Sequence, residues 1–185
     1  MNNRVFFVTP IVLLLCACAN PLNRVTSDNY TESCSIAEQN GKLDVAEQSC
    51  YRALVNVDMG NLGSELKSQR LYNLGRIKRL VGKFGEADSL FKQSIEIEET
   101  LTGPSSEKVG RRLAELAISY IYQNRISEGV PIVQRLSPIA DSYSGQDRRT
   151  VGAIFYGYAE ELKKINQEDL AHQFFNRAKS LDFTP

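Results

Sequence analysis

The sequence predicts an all-α fold, a solenoid of about four stacked helix-turn-helix repeats and about eight helices. Three observations carry that reading. Turn residues recur at Gly41, Gly82, Asn124 and Asn166, spaced 41, 42 and 42 residues apart, and a fixed period of this size marks repeat architectures. Around each turn, residue size follows one pattern without gaps. Small residues stand seven positions before it (Cys34, Gly75, Ala117, Ala159) and five after it (Ala46, Ala87, Gly129, Ala171). Finally, 185 residues with 42% hydrophobic and 24% charged side chains make a chain of ordinary globular composition and single-domain length.

The first element is an export signal, residues 1–17. Arg4 precedes an apolar stretch from Val5 to Ala19, broken only by Thr9 and Pro10. That stretch is shorter than the roughly 20 residues that span a bilayer, and it ends in small residues. Leu15-Cys16-Ala17-Cys18 resembles the bacterial lipoprotein cleavage box, and Cys18 fits it better than Cys16, which directly follows the bulky Leu15. Ordinary secretion with cleavage after Ala19 is the alternative. The resemblance implies acyl chains on Cys18, enough for stable anchoring. Ala19 stands where the sorting pattern's inner-membrane signal is Asp, so it also implies an outer-membrane location, facing the periplasm. Residues 18–26 then read as a lipidated cysteine and tether, with Pro21 as a breaker.

The repeats follow over residues 27–183, as units of about 27–60, 68–101, 110–143 and 152–185. In each, two amphipathic helices flank the turn. Large residues stand four positions before the first small column (Tyr30, Leu71, Leu113, Phe155), and mostly bulky ones four after the second (Cys50, Phe91, Val133, Phe175). Small residues facing each other let the two helices approach closely while the larger ones fill the flanks.

These columns resemble the tetratricopeptide repeat, and the 42-residue period with the segment Phe91 to Val109 is similar to the variety found in kinesin light chains. The resemblance implies a right-handed superhelix whose first helices line a concave, protein-binding surface. Two departures bear on the outline. Pro131 falls within the first turn of its helix, where proline is tolerated, but Pro138 should end that helix near Ser137 and leaves the path from Ile139 to Gly145 open. Lys179 occupies the column held by Leu54 and Ile95, so the stack is expected to cap itself there.

Candidate chemistry is sparse. Twenty-two basic and twenty-two acidic residues balance, without the positive footprint that phosphate-backbone binding needs, so nucleic acid is not an expected partner. The one histidine, His172, reads as a surface residue. No nucleophile-base pairing, phosphate loop or metal-ligand spacing follows the signal, so no enzyme activity, cofactor, metal or small-molecule substrate is expected. The acidic runs Glu96-Ile97-Glu98-Glu99 and Glu160-Glu161 read as solvated faces.

Cys34 and Cys50 are equidistant from residue 42 and stand opposite each other in an antiparallel hairpin. Export permits a disulfide there, stabilising the hairpin by roughly 3 kcal/mol; two buried thiols are the alternative. In the resembled family the outward positions of the first helices bind partners. Here those are Tyr72, Asn73, Arg76 and Arg79, then Arg111, Glu115, Ile118 and Tyr122, then Tyr156, Glu160 and Lys163. Tyrosine and arginine suit peptide recognition through large contact area and multidentate hydrogen bonds. Tyr72 stands four positions before Arg76, and Glu107, four before Arg111, lies at a helix start where it is expected to splay outward, so Arg76 and Arg111 are expected to be free for a ligand. The Lys and Asn columns of the family's carboxylate clamp do not recur. The expected role is an anchored scaffold or adaptor that binds a protein or peptide, with envelope or secretion-complex assembly as its expected setting and a regulatory subunit of a cell-wall enzyme as the alternative.

Overall fold

The computed structural model describes residues 20–184, so the expected export signal and Cys18 lie outside the described residues. Eight α-helices run in order: α1 (Pro21–Gln39), α2 (Leu43–Met59), α3 (Ser64–Leu80), α4 (Phe84–Thr102), α5 (Glu107–Tyr122), α6 (Ile126–Leu136), α7 (Gly145–Lys164) and α8 (Glu168–Ser180). There is no strand among the described residues. Consecutive helices pair as hairpins, and each hairpin packs on the next in the stack.

All four expected turn residues adopt positive φ: Gly41 at 69°, Gly82 at 80°, Asn124 at 55° and Asn166 at 57°. Glycine and asparagine are the residues that take this conformation at least cost. Each turn closes with the same pair of backbone bonds, for example Gly82 N to Arg79 O at 3.0 Å and Lys83 N to Lys78 O at 2.8 Å, the Schellman arrangement that satisfies the last carbonyls of a helix.

Three outlines differ from the sequence reading. The tether expected over residues 18–26 is helical from Pro21 onward. Proline at the first helical position needs no N–H donor, and the Asn20 side chain accepts from Leu22 N at 3.0 Å as the cap. This start also docks: Asn20 N donates to Gly60 O, and a Cβ on Gly60 would lie 2.7 Å from Asn23 Cβ. Pro131 is the sixth residue of α6, one turn deeper than expected, whereas Pro138 does end that helix after Leu136. The open path beyond it forms a 3-10 turn, Ala140–Ser142, after which Tyr143 tucks beneath α5 and donates from its hydroxyl to Glu107 O at 2.8 Å. Gly110 makes the room, since a Cβ there would meet Tyr143 Oη at 2.4 Å.

The third difference is Glu98, expected on a solvated face but only 1% exposed. The apolar core divides into one cluster over α1–α3 and a larger one over α4–α8. A polar network stands where α3, α4 and α5 meet. Arg112 pairs with Glu98 at 2.8 Å and donates to Ser94 Oγ at 2.7 Å, to Ser68 Oγ at 3.0 Å and to Lys108 O at 2.7 Å. A buried carboxylate persists only with such partners. One repeat earlier, Arg70 makes the corresponding bonds to Ser27 Oγ at 3.1 Å and Asp28 at 2.5 Å.

His172, Glu96 and Lys179 are exposed, as expected. The Cys34 and Cys50 sulfurs are within bonding distance, with Cα atoms 5.3 Å apart.

Candidate functional site: a groove across the first helices

Three hollows lie in line along the first helices of the hairpins. Thr31, Ser35 and Glu38 of α1 face Asn73 and Arg76 of α3 across a space of about 160 Å³ that the Cys34–Cys50 bridge borders. Between α3 and α5 a space of about 260 Å³ is lined by Glu65, Gln69, Tyr72, Asn73, Lys108 and Arg111. Between α5 and α7 a third, of about 250 Å³, is lined by Tyr72, Arg111, Ala114, Glu115, Ile118 and Val151, with Tyr143, Asp147 and Thr150 at its far side. Asn73 joins the first to the second, and Tyr72 and Arg111 join the second to the third, so the hollows form one groove.

Packing fixes Tyr72 at the centre. Its ring tilts against Phe91 at 6.3 Å, and the Arg112 guanidinium lies 5.2 Å from its centroid. Burial, with the Glu115 carboxylate adding to it, holds its hydroxyl above the ordinary tyrosine pKa despite the nearby arginines. Burial likewise pushes Tyr143 up to about 12. Both hydroxyls are therefore neutral at any ordinary pH, and that of Tyr143 already donates to Glu107 O. The α5–α7 hollow combines an apolar wall from Ala114, Ile118 and Val151 with these rings and a charged rim, a composition suited to a side chain that is apolar with a polar neighbour.

The expected binding residues are only partly brought together. Tyr72, Asn73, Arg76, Arg111, Glu115 and Ile118 line the groove. Tyr122 turns away from it and stacks on Phe84 of α4, with centroids 6.0 Å apart and an interplanar angle of 11°. Tyr156 packs in the last hairpin against Phe175 at 5.3 Å and Phe183 at 5.5 Å. On the same helix, Glu160 is half-buried and Lys163 exposed.

The two arginines expected to be free are both paired. Arg76 meets Glu38 at 2.6 Å and Glu115 at 3.5 Å, and Arg79 meets Glu115 at 2.9 Å. Arg111 meets Asp147 at 3.3 Å, with both side chains more than half exposed. The expectation tested only positions one helical turn upstream, whereas stacking brings together residues about one repeat apart. The same rule produces Lys83–Glu47, Arg125–Asp88, Arg135–Glu99 and Arg177–Asp141. Of the groove arginines, Arg111 keeps the weakest tie, because an exposed pair contributes little.

Sequence reasoning missed Thr31 and Ser35, although they stand one repeat before Tyr72 and Arg76 in the same columns. It also missed Asp147 and Thr150 of α7, the latter one repeat after Lys108, and Tyr143, which follows the turn beyond Pro138.

A scan against known protein families finds no match to this chain, and no curated protein matches it. Solved structures do. The crystal structure of BtubC (BKLC) from P. vanneervenii superposes with a TM-score of 0.76 at 17% identity, covering 88% of this chain and 67% of that one. A putative kinesin light chain from Podosopora anserina with nearly identical TPR-like repeats gives a TM-score of 0.66 at 16% identity, covering 84% of this chain and 74% of that one. The fold is a tetratricopeptide-type repeat solenoid. At these identities the likeness is one of fold, and the solenoid's groove is assigned from its own residues.

Proposed function

We propose that this solenoid is a scaffold or adaptor that holds an extended segment of a protein partner in the groove across α1, α3, α5 and α7. The observation that carries the reading is the continuity of the three hollows through Asn73, Tyr72 and Arg111. A segment laid there meets the neutral Tyr72 hydroxyl, the Ile118 and Val151 side chains, and a guanidinium whose present partner is solvent-exposed. Rigid aromatic anchors beside an arginine are the usual carriers of binding energy at interfaces. We further propose that Cys18 carries lipid and places the domain at the outer membrane, facing the periplasm. The export signal and cleavage box support that location. No helix among the described residues is long and apolar enough to cross a membrane.

Site-directed photocrosslinking in living cells tests the groove. A photoreactive amino acid at Ile118 should trap one defined envelope protein, and the same probe at Ser89 on the outer surface of α4 should not. Equal trapping from both positions, or trapping from Ser89 alone, would move the interface off the groove.

A further inference from the structure

We infer that the open end of the first hairpin is a membrane contact, in which Leu22, Val25 and Met59 enter the lipid interface beside the anchor. The inference rests on the reading of Cys18 as the lipid-bearing residue.

Leu22 and Val25 are one turn apart on α1 and so share a face, and they are 71% and 56% exposed. Met59, at 73%, is the most exposed of the large apolar side chains. It ends α2 at the same place, since Asn20 N bonds to Gly60 O and Asn23 packs on Gly60. Nothing among the described residues accounts for these side chains. They cap no hydrophobic cluster, and the residues that dock the start of α1 are Asn20 and Asn23.

Chain length supplies the occupant. With helix beginning at Pro21, only Ala19 and Asn20 separate it from Cys18. At about 3.3–3.6 Å per residue the start of α1 stays within about 10 Å of the lipidated sulfur's backbone. Interfacial helices bury their apolar face about 5–10 Å into the boundary between headgroups and acyl chains. The hairpin's open end therefore cannot leave the interfacial zone while the anchor holds, and it presents there the side chains that gain by entering it. The contact fixes the orientation of the solenoid, because Leu22 and Met59 come from two different helices.

The chain contains no tryptophan, so a single introduced one is an unambiguous reporter. Leu22→Trp and, separately, Val25→Trp are purified as the full lipidated protein and reconstituted into phosphatidylethanolamine–phosphatidylglycerol vesicles, with and without lipids brominated on their acyl chains. Ile165→Trp, at the turn end of α7, is the control. Fatty-acid labelling of each protein, lost on Cys18→Ser, reports on the anchor separately. The expected result is blue-shifted emission that loses most of its intensity to brominated lipid for Leu22→Trp and Val25→Trp, with Ile165→Trp unaffected. Labelled protein in which neither of the first two is quenched would overturn the contact and leave the anchor intact. Protein without label at Cys18 would overturn both.

Discussion

Gly129 shows how much one side chain decides in this stack. It occupies the column that the other hairpins fill with Ala46, Ala87 and Ala171, so the pattern alone would admit alanine. A Cβ there would stand 1.8 Å from the Tyr158 hydroxyl, which is fully buried and donates to Ala117 O at 2.8 Å. Gly129→Ala must displace that ring, and we expect it to cost about 1–3 kcal/mol in urea unfolding, as overpacked cores do. Gly85 is the contrast. It has ordinary helical backbone and open space around its Cα, so Gly85→Ala should leave stability unchanged or raise it by up to about 1 kcal/mol. Tyr72 and Arg76 belong with Gly129 rather than with surface positions. Tyr72 packs on Phe91 and under Arg112, and Arg76 ties α1 to α5 through Glu38 and Glu115. Replacing both by Ala should lower stability by about 2–4 kcal/mol, which makes that pair a poor probe of binding.

Among the described residues the first hairpin, like the last, has a packed neighbour on one side only. Where the second hairpin sets Phe91 against Gly75, with a Cβ on Gly75 only 2.8 Å from the ring, the first sets Cys50 against Cys34. A covalent bridge replaces the aromatic packing that the short cysteine side chain cannot supply. Reducing it should cost roughly 3 kcal/mol by restoring loop entropy to the unfolded chain. Hydrogen exchange should place the loss in α1 and α2, while α5 to α8 stay protected. Uniform loss of protection along the chain would show that the bridge governs the whole stack.

At the scale of the whole molecule, the stack is joined by ion pairs between residues about one repeat apart. Glu47, which accepts from Lys78 at 2.7 Å and Lys83 at 2.6 Å, is held below the usual carboxylate range by those two lysines. Arg177 does the same to Asp141. Their folded pKa values are depressed, so the stability they contribute is fully present above the unfolded carboxylate values near 4. It is lost as pH falls through the lower folded values. The unfolding midpoint should therefore be flat from about pH 7 to pH 5 and fall below about pH 4, with a shallower fall in Glu47→Gln. Legibility follows the same division of scale. The turns at Gly41, Gly82, Asn124 and Asn166 and the pairing of Cys34 with Cys50 were readable, because both are set within a single hairpin. The Arg112–Glu98 network and the partners of Arg76 and Arg111 were not, because they form only when repeats stack. Pro21 misled for a local reason, since the same residue breaks a helix inside it and starts one at its first position. Six residues of the expected set line the groove, through the columns they share. Tyr143 required the turn that follows Pro138.

The groove itself is tested most directly by the affinity of the partner trapped through Ile118 for a variant combining Arg111→Ala with Thr150→Trp. The first change removes the least constrained guanidinium, and the second fills the hollow between α5 and α7. Both positions are exposed, so helix content and melting temperature should stay close to those of the unaltered protein. Binding should weaken by about tenfold or more, a loss of about 1.4 kcal/mol. A folded variant that binds its partner as tightly as the unaltered protein would contradict the assignment of this groove as the binding surface.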